Sequence, residues 1–306
     1  MKILCLGHVT YDTTIPVDGF PEENEKYHIN NKIECGGGPA SNAGYLLSKW
    51  GEEVYVAGVV GNDYQGLATK EEFERIGANT KYLEINNEVG TDSSYIIANT
   101  QNGSRTILTS IAGRKEHPLT LEINDKFDYI VLDGDEAATA KKVIENNENA
   151  VSILDAGNLR EGTVELSYLV DYLVCSHDYA EDYTNMKMDY DDIESIIRIY
   201  EKMKESYTNK IIITLESRGC FVELDGEYKI IPSIKINPVD STGAGDIFHG
   251  AFAYFLANGY PLDRVLRLAN ITGALSVEKL GSRYSMAELN DVLERDKREE
   301  NAWFIS

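Results

Sequence analysis

Positive charge is scarce in this chain of 306 residues. Lysine and arginine number 29 against 51 aspartates and glutamates, for a formal net charge of −22. A surface of that sign repels phosphate backbones and anionic bilayers, which excludes nucleic acid and membranes as main partners. An anionic small molecule can still bind where local amides or a metal ion outweigh the global field. Long apolar runs are also missing, and none approaches the ~20 residues needed to span a bilayer. The first seven residues, Met1 to Gly7, are too short for a secretory core and lead straight into polar sequence. Cysteine is limited to Cys5, Cys35, Cys175 and Cys220, far apart and without metal-ligand spacing. All but Cys35 lie in apolar, strand-like runs, which predicts buried free thiols and a reducing, cytoplasmic setting. The five histidines are scattered, and none stands at ligand spacing from Cys, Glu or another His, so no zinc-type site is expected. There is no Gly-x-x-x-x-Gly-Lys-Ser/Thr, and Gly7 to Asp12 lacks the glycine spacing of a dinucleotide fold. A P-loop kinase and a nicotinamide dehydrogenase are thereby set aside.

What is present is ordinary for a soluble globular protein, at 42% hydrophobic and 26% charged residues. The length suits one large α/β domain, with or without a small accessory one. Ile3 to Leu6 is a short apolar run ending at Gly7 and reads as a buried central strand. Asp12 follows shortly after it, where open α/β sheets bind ligands. Residues 13–33 alternate loosely around Pro16 and Pro21 and read as short strands and turns outside the main sheet. Val54 to Val60 is a strand, with a helix from about Tyr64 to Ile76 after it. Residues 93–98 and 105–111 are β-like runs joined by Asn102-Gly103, a strong hairpin signal. With 13–33 they form a small accessory sheet.

From Tyr129 onward strands and helices alternate. Strands fall at 129–132, 151–154, 172–175 and 210–215, with helical patterns at about 136–146, 163–169 and 190–206. That rhythm means parallel strands with crossover helices. Phe221 to Ile231 reads as a hairpin turning at Asp225-Gly226, and two closing helices follow at roughly 261–279 and 285–295. With no repeat, low-complexity tract or linker, residues 1–306 are expected to form one domain.

Two glycine-rich corners carry the chemistry. In Glu34-Cys35-Gly36-Gly37-Gly38-Pro39-Ala40-Ser41-Asn42-Ala43, three glycines open a helix whose Ala43, Leu46, Leu47 and Trp50 share one face. Asn42, in its first turn, can present an amide to hydroxyls at the helix mouth or serve as a cap. In Pro238-Val239-Asp240-Ser241-Thr242-Gly243-Ala244-Gly245-Asp246-Ile247-Phe248, a small-residue turn runs into an apolar helix. Such a start offers unpaired amides and a partial positive charge, which is an anion site. Asp246, just inside it, could take a proton from a hydroxyl lying beside the anion. Helix capping by Ser241 or Thr242, with Asp246 favouring the dipole, accounts for the same residues.

Taken together, the chain resembles the ribokinase/PfkB family of carbohydrate kinases. Gly37 to Ala43, running on to Gly51, is similar to that family's N-terminal signature, and Asp240 to Phe248 to its C-terminal one. Gly58 to Gly66 matches a glycine-and-Asp turn of the same family. The resemblance implies a three-layer ribokinase-like α/β sandwich with a mostly parallel central sheet. It also implies a small β lid built from about 13–33 and 93–111, which pairs subunits in many relatives, hence a homodimer. It further implies an ATP-dependent sugar kinase of ribokinase, fructokinase or ketohexokinase type. Asp246 would be the base, and the amides around Gly243, Ala244 and Gly245 would steady the moving phosphoryl group. Asp12, Gly37, Gly38 and Asn42 would bind sugar hydroxyls. Ser176, Thr214, Glu216, Gly219, Asn270 and Gly281 would lie beside the nucleotide. Asp240, Thr242 and Ser285 match the neighbourhood of a monovalent cation, K⁺, and Mg²⁺ is implied as the ATP counter-ion.

Two departures stand out. The family's Asn-x-x-Glu near 172–175 is absent; Ser176-His177-Asp178-Tyr179-Ala180-Glu181 stands there, leaving Asp178 or Glu181 as substitutes. Glu216 occupies a position usually held by Gly. These keep two alternatives open, a nucleoside kinase and a sugar- or nucleotide-binding protein without turnover. Arg105, on the predicted lid hairpin, reads as a solvated strand charge or as a reach toward phosphate. His249 reads as a packing or surface residue.

Overall fold

A computed structural model describes residues 1–113 and 116–303. Its centre is a nine-stranded sheet in the order β13-β12-β11-β10-β9-β8-β1-β4-β5. The strands are β1 (Lys2–Leu6), β4 (Glu53–Gly61), β5 (Asn79–Asn86), β8 (Tyr129–Leu132), β9 (Val151–Ala156), β10 (Tyr172–Ser176), β11 (Lys210–Thr214), β12 (Cys220–Leu224) and β13 (Glu227–Ile231). Every pairing from β5 to β11 is parallel, and β12 pairs antiparallel with both β11 and β13. The central strands are apolar on both faces because helices cover both. In β1, Ile3 and Cys5 enter one core while Leu4 and Leu6 enter the other. On the first face pack α1 (Pro39–Lys49), α2 (Tyr64–Arg75), α7 (Ala244–Ala257), α8 (Leu262–Ser276) and α9 (Leu289–Trp303). On the second lie α3 (Ala137–Asn146), α4 (Glu161–Ser167), α5 (His177–Thr184) and α6 (Ile193–Lys204). This is the expected three-layer arrangement. The four cysteines are buried free thiols. Among the described residues no helix is long and apolar enough to cross a membrane.

A second, four-stranded sheet has the order β3-β2-β6-β7, from β2 (Thr10–Val17), β3 (Ile33–Gly37), β6 (Ser93–Asn99) and β7 (Arg105–Ser110). The hairpin β6–β7 falls where Asn102-Gly103 places it. The other half differs from expectation. Its strands begin at Thr10 and end at Gly37, and residues 18–32 between them form no regular strand. Pro16 is tolerated inside β2 because β3 pairs only with Thr10 to Thr14, so that side has no ladder bond to lose.

Three further elements depart from the sequence reading. Strand β5 was not expected, since its polar residues hide the pattern and only Tyr82 and Leu83 are buried. Helix α5 was missed because it is one short run capped by Ser176. The last helix starts at Leu289 rather than 285, for the carbonyls of Met286 and Ala287 are taken by Lys49 Nζ and Trp50 Nε1.

Candidate active site

Strand order reverses at β1, whose neighbours are β4 and β8, and the C-terminal ends of the parallel strands open there. Asp133, just past β8 and fully buried, accepts backbone N–H groups from His8 (2.9 Å), Ala40 (3.1 Å) and Asp135 (3.0 Å). Burial and the charge of Asp135 push its carboxyl upward, and the N–H donors oppose that shift. The effect is to pin the mouth of α1 against the end of β1.

Each glycine of the 36–38 run makes room for something specific. A Cβ on Gly36 would fall 2.4 Å from the guanidinium of Arg283, and one on Gly37 would fall 2.2 Å from the carboxylate of Asp12. Gly38 has φ 95°, and its Cβ would meet the carbonyl of His8 at 2.0 Å. Asp12 therefore lies flat against the Gly37 backbone, 6% exposed, with Thr10 Oγ1 donating to it at 3.0 Å. Burial pushes its carboxyl up to about 6; the Thr10 hydroxyl opposes this, the nearby charge of Asp246 adds to it, and Arg283 again opposes.

Gly243 enters α7 with φ 75°, and Asp246 lies in the first turn of that helix, where the Gly245 and Asp246 amides have no intrahelical acceptor. Asn42 Nδ2 donates to Asp246 Oδ2 at 2.8 Å. The structure thus joins Asp12, Gly37, Gly38, Asn42 and the 243–246 corner into one acidic cup. Behind Asp246 lies His249, buried, with Nδ1 2.7 Å from the Gly245 carbonyl and 3.0 Å from Asp155, and Nε2 3.1 Å from the Val174 carbonyl. It is therefore buried with partners at both ring nitrogens and not a surface residue. Asp155, which the sequence reading did not single out, is pushed upward by burial and held back by His249.

Beside the corner, Asp240 is buried and accepts N–H groups from Thr242 and Gly281, both at 2.9 Å. Thr242 Oγ1 is buried without a partner, and Ser285 Oγ donates to Ser282 O at 2.9 Å. A buried carboxylate next to an orphaned hydroxyl is a donor set that fits a monovalent cation. The β6–β7 turn docks here too. Ser241 Oγ donates to Gly103 O at 2.9 Å, Arg105 Nη1 reaches Ser241 Oγ at 2.5 Å, and a Cβ on Gly103 would meet Pro238 at 2.5 Å. Arg105 therefore points toward the anion corner.

The residues expected at the nucleotide are arranged more loosely. Ser176 caps α5, accepting from Tyr179 N and donating to Gly157 O at 2.8 Å. Thr214 Oγ1 reaches Cys175 O at 3.3 Å. Glu216 is exposed and sits at φ 53°, a left-handed backbone that explains why glycine suits the position. Partial burial, with the charge of Glu216 next, pushes the Tyr190 hydroxyl up to about 12. Gly219 has φ 105° and packs on Ile231 O, while Gly281 has φ 81°. Asn270 is turned inward, donating to Ile231 O at 2.9 Å, so it braces the β12–β13 hairpin. Of the substitute carboxylates, Glu181 is held by Lys187 and the Met188 amide, whereas Asp178 is exposed beside His177.

The sequence-profile comparison matches residues 1–289 to the pfkB family carbohydrate kinases. A ribokinase of Lactococcus lactis is 26% identical over 305 residues, covering 95% of each chain. Among solved structures, ribokinase from Giardia lamblia superposes with a TM-score of 0.82 at 17% identity, covering 97% of this chain and 99% of that one. Ribokinase from Arabidopsis thaliana, complexed with ribose and ATP, gives 0.78 at 23% identity, covering 96% and 97%. At these identities the superpositions speak to the fold.

Proposed function

The chain belongs to the pfkB family of carbohydrate kinases, phosphotransferases with an alcohol acceptor, and from that premise we propose that it transfers the γ-phosphoryl of ATP to a hydroxyl of a small, uncharged sugar. One observation carries the reading. The Asp246 carboxylate stands at the start of α7 beside its unpaired amides, accepts the Asn42 amide, and lies near enough to the buried Asp12 for its charge to raise that carboxyl. In the proposed reaction Asp246 takes the proton of the sugar hydroxyl as its oxygen attacks the γ-phosphorus and the bond to ADP breaks. The amides of Gly243, Ala244 and Gly245 steady the charge on the moving group; a single preorganised donor of this kind contributes about 3 kcal/mol. Asp12, Gly37, Gly38 and Asn42 receive the remaining hydroxyls. A pocket of buried polar groups rejects an analogue lacking a hydroxyl, because its own groups are then left unpaired.

The charge of the cup narrows the acceptor. Asp12 and Asp246 face each other there, and the buried guanidinium of Arg283 is already neutralised by Glu72. A phosphorylated or carboxylated sugar would meet net repulsion. In this reading the nucleotide lies along Ser176, Thr214, Glu216, Gly219, Gly281 and the loop braced by Asn270. Mg²⁺ is carried mainly by the phosphates, with Asp178 the available carboxylate, and K⁺ is held at Asp240, Thr242 and Ser285. The four-stranded sheet serves as the lid. Its outer strand β7 is exposed throughout, and Tyr95 opposite Leu108 offers an apolar face for a second copy in a homodimer.

ADP release measured with ATP and a panel of ribose, 2-deoxyribose, fructose, nucleosides, a sugar phosphate and a sugar acid tests the proposal. Turnover is expected with a neutral sugar and not with the charged ones. Sugar binding without turnover on any member would overturn it.

A further inference from the structure

Arg283 is 4% exposed, and its guanidinium is gripped from every side. It pairs with Glu72 Oε2 at 2.6 Å, donates to Ser41 Oγ at 2.8 Å, and lies over the rings of Tyr45 (4.7 Å) and Phe73 (4.4 Å). Its Nε faces Asn42 Oδ1 at 3.5 Å. Glu72 Oε2 also accepts the amide of Gly36 at 3.0 Å, so the same ion pair ties β3 to α2 and to the loop that carries Arg283. A buried cation so fully enclosed is costly to build and is not needed to hold a helix mouth that Asp133 already pins.

We propose that Arg283 is a positioning residue for the phosphoryl-transfer step, acting through Asn42 on Asp246. The amide of Asn42 has a donor end and an acceptor end. With Arg283 facing Oδ1, the Nδ2 end is directed at Asp246, which it reaches at 2.8 Å. The flipped amide would set NH₂ against a guanidinium and a carbonyl against a carboxylate, two repulsions in a buried site. Arg283 therefore selects the amide orientation that holds the carboxylate of Asp246 toward the acceptor hydroxyl. Gly36 belongs to the same device, because a side chain there would occupy the space of the guanidinium.

The inference rests on Asp246 being the base, and the experiment keeps the two apart. Wild type, Arg283→Met, Asn42→Ala and the double variant are compared for kcat and for sugar Kd, using ATP and ribose, or whichever of ribose, 2-deoxyribose and fructose turns over fastest. Arg283→Met is expected to lower kcat at least thirty-fold. In the Asn42→Ala background the same change should lower it less than three-fold, because the group it acts through is gone. A purely structural role gives equal losses in both backgrounds, and that result overturns the proposal. Arg283→Lys, which keeps the charge but loses the fork, and Gly36→Ala, which displaces the guanidinium without removing it, guard against a variant that fails to fold. Both are expected to show the same dependence on Asn42, and additive losses in both would again overturn it. Asp246→Asn runs in parallel. If it keeps a tenth of the wild-type rate, the base assignment falls and this inference falls with it; if it is inactive while the cycle is additive, only the role of Arg283 fails.

Discussion

The two walls of the site are built differently. On the proposed sugar side, Asn42, Asp246, Arg283 and Glu72 form one hydrogen-bonded and ion-paired web, Asp12 lies close enough to feel the charges of Asp246 and Arg283, and Asp12, Asn42 and Arg283 are almost wholly buried. On the other side, Ser176 and Thr214 each bond to neighbouring carbonyls, Asn270 faces inward, and Glu216 is exposed on a left-handed backbone. A buried web is rigid but expensive: any one member removed leaves others unpaired in low dielectric. An open wall of separate contacts adapts, and its members act independently. The difference suggests that selection among acceptors resides in the first wall, while the second accommodates a flexible triphosphate. Substitutions should then be large and coupled on the sugar side, small and additive on the other.

The largest expected effect is at the point where the walls meet. Asp246→Asn keeps the shape and removes the proposed base, so turnover should fall by about 10³-fold or more while sugar affinity stays within a few-fold. Coupled ADP release and calorimetric sugar binding measure the two. Loss of sugar binding in parallel with rate would show that Asp246 serves the ground state, and would erase the distinction drawn here.

Next comes Asp12, where burying a carboxylate carries a cost of its own. Its folded carboxyl is pushed from 3.8 up to about 6, chiefly by burial. The folded state thus holds a proton that the unfolded chain releases between those values. The contribution of Asp12 to stability is greatest below about 3.8, falls as pH rises through about 6, and is flat above. Above that point the ionised group costs the fold up to about 3 kcal/mol, at ~1.4 kcal/mol per pKa unit. Asp12→Asn should accordingly raise the melting temperature at pH 7.5 by a few degrees while weakening sugar binding about 10²-fold. In the wild type, sugar KM should climb as pH falls below about 6, because the protonated carboxyl no longer accepts from hydroxyls. A variant that lost sugar affinity and stability together would show that the Asp12 charge is not under strain.

How much of this was legible in the sequence follows the same division. Gly37, Gly38, Asn42 and Asp246 announce themselves because each occupies a special backbone, a close approach or a helix start, and such constraints leave local signatures. Asp12 was found because it follows a central strand. Arg283 and Glu72 were not found; a lone arginine after Gly-Ser and a glutamate in an amphipathic helix look like surface residues until the fold closes them on each other. The first glycine of the run, Gly36, was the one available clue, since neither a turn nor a helix start required it. Asn270 was placed near the nucleotide by resemblance, yet its amide points into the β12–β13 hairpin, a direction that one-dimensional spacing does not encode. Strand β5 was lost for a simpler reason, as an edge strand with two buried residues carries too little hydrophobic pattern.

The smallest effect, and the sharpest probe of the open wall, is Glu216→Gly. A side chain at φ 53° costs about 1–2 kcal/mol, and glycine's extra freedom in the unfolded chain takes back roughly 0.5–1. Stability should therefore rise by less than about 1 kcal/mol, seen as a melting temperature roughly one to three degrees higher. If triphosphate lies along this wall, removing the carboxylate also removes a like charge, and KM for ATP should fall a few-fold with kcat unchanged. The gain should add to that of any sugar-side variant, because Glu216 is exposed past the end of β11 while the web around Asn42 is buried among α1, α2 and α7. A rise in KM for ATP would mean that Glu216 holds the nucleotide complex rather than opposing it, and coupling to Asp12→Asn would mean that the two walls are one.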